Sequence, residues 1–245
     1  MPEHELWFTA LFNDYLAGAG NAILHIFGLQ AEHPERPWTN FITMQILVTL
    51  IIIALFGILR PRLSMDKPGK LQHLFEVMYE FLANQTDEVI GHNGRRYLTF
   101  FGTLFIFILF GNLLGIIPTL ESPTMFPYVP VGCAIAAFLY YNVVGIREVG
   151  IGGYMKHFVG PMPLMAPLMI PIEIISHLAR PLSLSIRLFA NMYAGEQVTL
   201  VFLGLTYVVA PALFMGLHVF IALLQAYVFV LLTMVYVGGA VSHEH

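Results

Sequence analysis

The chain has 245 residues, 58% hydrophobic and only 11% charged, where an ordinary soluble domain carries about 25% charged residues. With a mean hydropathy of +0.75 it cannot build a water-soluble surface, which excludes a soluble enzyme, a disordered tail and a disulfide scaffold. Eleven Lys and Arg against fifteen Asp and Glu leave a net charge of -4, so there is no basic field for nucleic acid. What remains is an all-α polytopic membrane protein forming one membrane domain over 1–245.

The first 40 residues carry no basic cluster ahead of an apolar core, so they do not read as a signal peptide. They are expected as an ordered, partly amphipathic outer arm, with Trp7, Phe8 and Trp38 suited to an interface. A spanning helix needs about 20 mainly apolar residues. Uncharged runs of that kind cover 41–59, 97–120 and 129–146. They are continuous rather than alternating, which favours helices over a β-barrel.

Between the first two runs, Leu71, Leu74, Phe75, Met78, Phe81 and Leu82 follow helical spacing, with Gln72, His73, Glu76 and Glu80 on the other side. This predicts an amphipathic helix over 71–90 on the cytoplasmic face, open to a partner or packed on the bundle's own loops. Only Arg36 precedes the first span. Arg60, Arg62, Lys67, Lys70, Arg95 and Arg96 follow it, the 121–128 link has no base, and the next link has Arg147 and Lys156. The positive-inside rule puts the N-terminus outside and the C-terminus in the cytoplasm. The stretch 148–171 is rich in Gly and Pro and is expected as a loop with short turns.

The fourth span, within 164–196, differs from the others. At 100° per residue Glu173, Ser176 or His177, Arg180, Ser183, Arg187 and Asn191 share one face. Arg180 can snorkel to the cytoplasmic edge. Arg187 lies about 10 Å further in. It is either a structural Arg paired to a neighbouring helix, or part of an ion pathway or a counter-charge for a partner. The run 198–241 has no Asp, Glu, Lys or Arg. As one straight helix it would measure about 66 Å, roughly twice the apolar thickness. It must turn near Gly204 or Pro211 or tilt strongly, so a last helix over 205–241 is expected. His218 and Gln225 stand two turns apart on one of its faces, beside a helix bearing Arg, Asn and Glu. That placement favours a proton or water path over isolated packing residues.

Other function classes fit poorly. A secondary transporter with a substrate or ion site at the intramembrane Arg would show an inverted repeat, and none stands out. An intramembrane hydrolase would need a Ser/His dyad or a metal motif. Ser176 and His177 are adjacent and point to different faces, and no HExxH occurs. No metal or cofactor site is expected, and His243 and His245 read as a solvated tail. No phosphate-binding glycine loop is present, which leaves any ATP chemistry to another chain.

The segment from Arg180 to Leu200, RPLSLSIRLFANMYAGEQVTL, closely resembles the signature of the subunit a family of F-type ATP synthases. The likeness extends upstream to Glu173 and downstream through LHVFIALLQAYVFVLLTMVYV, residues 217–237. It implies about five membrane helices, the last two long and strongly tilted, plus the surface helix. It implies as partners a ring of c subunits, peripheral-stalk b subunits and the other synthase subunits, in an energy-coupling membrane such as the bacterial inner membrane. It makes Arg187 the stator arginine facing the ring. Asn191, Glu196, His218 and Gln225 become residues of the outer half-channel and rotor-facing region, and Glu173 and Ser183 candidates for the inner one. Two positions depart from the family pattern. Ala190 stands where Gly is common. Pro123-Thr124 is followed by Met125, Phe126, Pro127 and Tyr128, where many relatives place Asn or Asp. Glu121 or the N-terminal acids are the substitutes for that missing polar group.

Overall fold

The computed structural model describes residues 5–26, 28, 33–65, 67–91, 94–117, 120–159, 166–205 and 209–241, and all regular structure among them is helical. The helices are α1 (Trp7–Ile26), α2 (Asn40–Leu59), α3 (Lys70–Ile90), α4 (Leu98–Leu114), α5 (Tyr128–Val159), α6 (Ala166–Leu205) and α7 (Val209–Val241). Helices are what an apolar chain must form in lipid, where each backbone N–H and C=O has to be satisfied within its own segment. Among the described residues four helical stretches are long and apolar enough to cross a membrane: Asn40–Arg62, Gly94–Leu114, Tyr128–Tyr154 and Ala212–Val241. The fifth expected span, α6, packs against α5 and α7 but stands outside that class, because its charged and polar side chains lower its hydropathy.

α7 is the centre of the bundle, touching α3, α4, α5 and α6. Its inward face of Ala226, Phe229, Val230, Met234 and Val237 is buried against Phe101 and Ile108 of α4, Tyr141 of α5, and Leu184, Leu188 and Met192 of α6. Small residues allow close approach between membrane helices. A Cβ on Gly238 would stand 3.1 Å from the Val89 carbonyl oxygen of α3.

Several boundaries differ from the sequence expectation, each for a tertiary reason. α4 stops at Leu114 rather than near 120. Beyond it the chain makes tight turns, with Ile116 N–H bonded to Leu113 O and Leu120 N–H to Ile117 O. A Cβ on Gly115 would stand 2.7 Å from Ser122 Cβ, so this tight return depends on glycine. α5 continues to Val159, so the expected loop after 148 is helical at first. The break falls at Gly150, with φ 76°, a left-handed conformation open to glycine. Residues 160–165 lie outside the described set. α6 runs past 196 to Leu205 and α7 begins at Val209, so Gly204 and Pro211, the two positions expected for a turn, both lie within helices, and residues 206–208 lie outside the described set.

Two surface elements also differ in detail. In α3, Gln72 is 7% exposed while Leu71, Leu74 and Phe81 are exposed. Gln72 is drawn in because its amide ties down the preceding loop, accepting from Ser64 N–H and donating to Ser64 O, both at 3.0 Å. In α1 two polar residues, Thr9 and Asn13, face inward. Thr9 pairs with Thr43 at 2.7 Å, and Asn13 exchanges bonds of 3.0 Å with the Trp38 backbone. Trp7, Leu11 and Tyr15 point outward, and the Trp38 indole N–H donates to Leu16 O.

Candidate functional site

α6 carries two internal prolines, Pro171 and Pro181. Pro181 has no N–H for the carbonyl of His177, one turn earlier, and loosens the helix there. Beyond it the two sides of α6 separate cleanly. Leu184, Leu188 and Met192 are buried in the bundle, while Ser183, Ile186, Arg187, Ala190 and Asn191 are exposed. Ser183 turns its hydroxyl back to Arg180 O at 3.0 Å. Among the described residues Arg187 has neither an ion pair nor a hydrogen bond. A guanidinium at the bilayer centre costs about 2.5–3.5 kcal/mol on the insertion scale, and among the described residues no acid neutralises this outward charge.

One turn on, Asn191 Nδ2 donates to Gln225 Oε1 of α7 at 2.7 Å. Gln225 therefore does not itself face outward. It is 4% exposed, held behind Asn191, and its own Nε2 is buried without a partner.

Glu196 and His218 meet in a cavity of about 150 Å3. Gly115, Ile116, Ile117 and Leu120 form one wall, Thr199 and Leu200 of α6 and Met215 of α7 the rest. Glu196 Oε2 and His218 Nε2 are both buried and unpartnered. Buried polar atoms without partners are costly, and although the cavity lining is mostly apolar, its volume has room for waters that could satisfy them. Gly195 sets the approach of the two helices, since a Cβ there would stand 3.3 Å from His218 Nδ1.

The other half of α6 departs from the expected single stripe. Glu173 pairs with Arg180 at 3.6 Å, and the Arg180 guanidinium sits 5.3 Å from the centre of the Tyr236 ring. Both side chains reach inward, unlike Arg187. His177 turns to α5, its Nε2 lying 3.0 Å from Asn142 Oδ1 and 3.3 Å from the Tyr154 hydroxyl, which donates to the same Oδ1 at 2.7 Å.

Sequence reasoning missed Asn142 and Tyr154, and also Asn112, which donates to Ala222 O at 3.1 Å and accepts from Thr124 Oγ1 at 2.6 Å. Ser122 extends this chain to Thr124 Oγ1 and Gly111 O. Ala222 lies between His218 and Gln225, so the link fixes the part of α7 that carries both. A lone amide inside an otherwise apolar span was the signal for Asn112 and Asn142.

Among the described residues no three His, Cys, Asp or Glu side chains gather as a metal site. His243 and His245 lie outside those residues. The family model of the ATP synthase A chain matches residues 42–238. The chain is 67% identical to ATP synthase subunit a of Solibacter usitatus over 235 residues, covering 96% of this chain and 100% of that one. It is 48% identical to the Koribacter versatilis subunit a, covering 99% of each. It is 39% identical to that of Aquifex aeolicus, covering 79% of this chain and 94% of the relative.

Proposed function

The chain belongs to the ATP synthase A chain family, and from that premise we propose that it moves protons through two offset half-channels against a rotating ring of c subunits. Family membership makes it a multi-pass component of the synthase's proton-translocating membrane sector, with other synthase subunits as partners. The observation that carries the finer reading is Arg187, exposed on α6 with no acid among the described residues to neutralise it.

In this reading a proton from outside passes by Glu196 and His218 and neutralises a ring carboxylate near Asn191. The neutral carboxyl enters lipid cheaply, where the ionised form would not. After nearly a full turn it reaches the inner route, with Glu173 and Ser183, and releases its proton. Arg187 attracts the new carboxylate and favours its ionised form, because an opposite charge nearby stabilises it. A protonated carboxyl gains nothing from that cation, so Arg187 also blocks a direct jump between the half-channels. Asn191 and its Gln225 support hold the helix face beside it.

Sidedness follows from the basic residues. Arg96 pairs with Glu148 at 2.8 Å, which joins the 60–96 link and the end of α5 on one side. That side, rich in Lys and Arg, is cytoplasmic, with the N-terminus outside, in a bacterial inner membrane. The b subunits of the peripheral stalk complete the stator, and ATP is handled on other chains.

Contact with the ring is testable by disulfide trapping. Cysteine at Ile186 or Ala190, paired with cysteines along the outer helix of the ring subunit, should cross-link in the assembled complex. Cysteine at the buried Leu188 should not. Trapping at Leu188 and none at Ile186 or Ala190 would contradict the assignment.

A further inference from the structure

The cavity at Glu196 and His218 is walled on its outer side by Leu120 and the turn that ends α4. The next residue, Glu121, is held in place. Asn40, at 5% exposure, accepts from Leu6 N–H at 3.3 Å and turns its amide nitrogen to Glu121 Oε2 at 3.4 Å. On the other flank Ser122 is fully buried and anchored to Gly111 O at 3.0 Å. Glu121 therefore follows the cavity-lining Leu120 directly, on a backbone fixed from both sides. We infer that Glu121 is the proton-handling carboxylate at the outer mouth of the route that leads through this cavity to Glu196 and His218. This rests on the proton-translocating reading above.

The other described outer acids are placed differently. Glu5 is taken up by an ion pair with Arg36 and by Asn13 Nδ2 at 2.8 Å. Asp14 and Glu35 are exposed on the outer arm. The loop positions 125–128 carry no acid. Among these acids Glu121 is the one next in sequence to a cavity-lining residue, Leu120, and it is near enough for its charge to act on Glu196. The step balances simply. The ionised Glu121 accepts a proton from outside, passes it to cavity water and on to Glu196, and returns to its ionised form. The neutral donor end of Asn40 stabilises that ionised form between transfers. The charged or titratable groups around this stretch are Glu196 on α6, His218 on α7, and the Glu5–Arg36 pair beside α1, while α2 contributes only the Asn40 amide.

The test uses the whole synthase in proteoliposomes, with proton uptake followed while the pH of the outer compartment is varied. Glu121→Gln should slow uptake about tenfold or more, as expected for removal of a positioned proton-transfer group, and should lose the wild-type response to outer pH. Glu121→Asp should restore most of the flux with a displaced pH profile, and the exposed control Asp14→Asn should behave as wild type. Wild-type flux and profile in Glu121→Gln, alongside a slow Glu196→Gln, would overturn the role of Glu121 and leave the translocation reading standing. Wild-type behaviour in both variants would remove that reading as well. Should the Gln variant fail to assemble, an unchanged profile in Glu121→Asp overturns the inference.

Discussion

Asn191 and Gln225 are joined by a 2.7 Å hydrogen bond from Nδ2 to Oε1 that ties α6 to α7 one turn from Arg187. Two neutral amides so fix the helix face on which the free guanidinium stands. Hydrogen bonds between membrane helices contribute about 0.6 kcal/mol on average, too little to hold the bundle alone. The bond acts on orientation more than on stability. Gln225→Leu should therefore leave assembly of the synthase intact while lowering coupled proton flux severalfold. Co-purification of the subunits and flux in the same vesicles check both halves, and loss of assembly would show a packing role instead.

Gly195 gives a steric prediction. An added methyl would crowd the His218 ring at 3.3–3.6 Å, and the open side of the ring is the cavity. Gly195→Ala should push the ring into that space and slow proton uptake modestly. A bulkier Gly195→Leu should nearly stop it, with the complex still assembled. Equal flux in all three would show that the cavity is not on the proton route.

Glu196 and His218 share that cavity without a direct bond. Residues that act through common water are coupled, so their losses do not add. Glu196→Gln combined with His218→Ala should cost much less flux than the product of the two single losses. Multiplying effects would mean that the two groups act independently.

The triad of Asn142, Tyr154 and His177 joins α5 to the inner part of α6. Tyr154→Phe removes the hydroxyl that shares Asn142 Oδ1 and should lower the thermal stability of the purified complex by about 1 kcal/mol, with Arg187-dependent coupling retained. A loss of coupling at unchanged stability would move this triad from support into the proton path.

The helices that cross lipid were legible because their signal is local. Uncharged runs such as 41–59 admit no other structure in a bilayer. Their ends were not legible, because they depend on partners distant in sequence. The turn at Gly115 is set by Ser122 folding against it, and nothing in the apolar letters 115–120 announces it. Gln72 looked like a surface residue until the Ser64 loop came to it. In the site, Arg187, Glu196 and His218 stood out by their chemistry, since ionisable groups inside apolar helices are rare and expensive. The direction of each side chain was harder to foresee. Ideal helical angles put Arg180 and Arg187 on one face, yet Arg180 curls in over Tyr236 and Arg187 stays out. Gln225 was expected in the outer half-channel and rotor-facing region, and its side chain lies behind Asn191. Asn112 and Tyr154 escaped because their partners lie on other helices.

The central claim is that Arg187 is a permanent charge facing a passing carboxylate. Arginine suits that task because it keeps its proton even when buried and spreads its charge over a planar fork, whereas a buried lysine loses its proton readily. The direct measurement is proton flux under an imposed potential in vesicles containing the complete synthase with Arg187→Ala. The account predicts that ATP-driven pumping and ATP synthesis are abolished while passive proton leak rises, and that Arg187→Lys also fails at coupled transport with a smaller leak. A normally assembled Arg187→Ala complex that retains coupled synthesis would make Arg187 a structural residue and contradict the account.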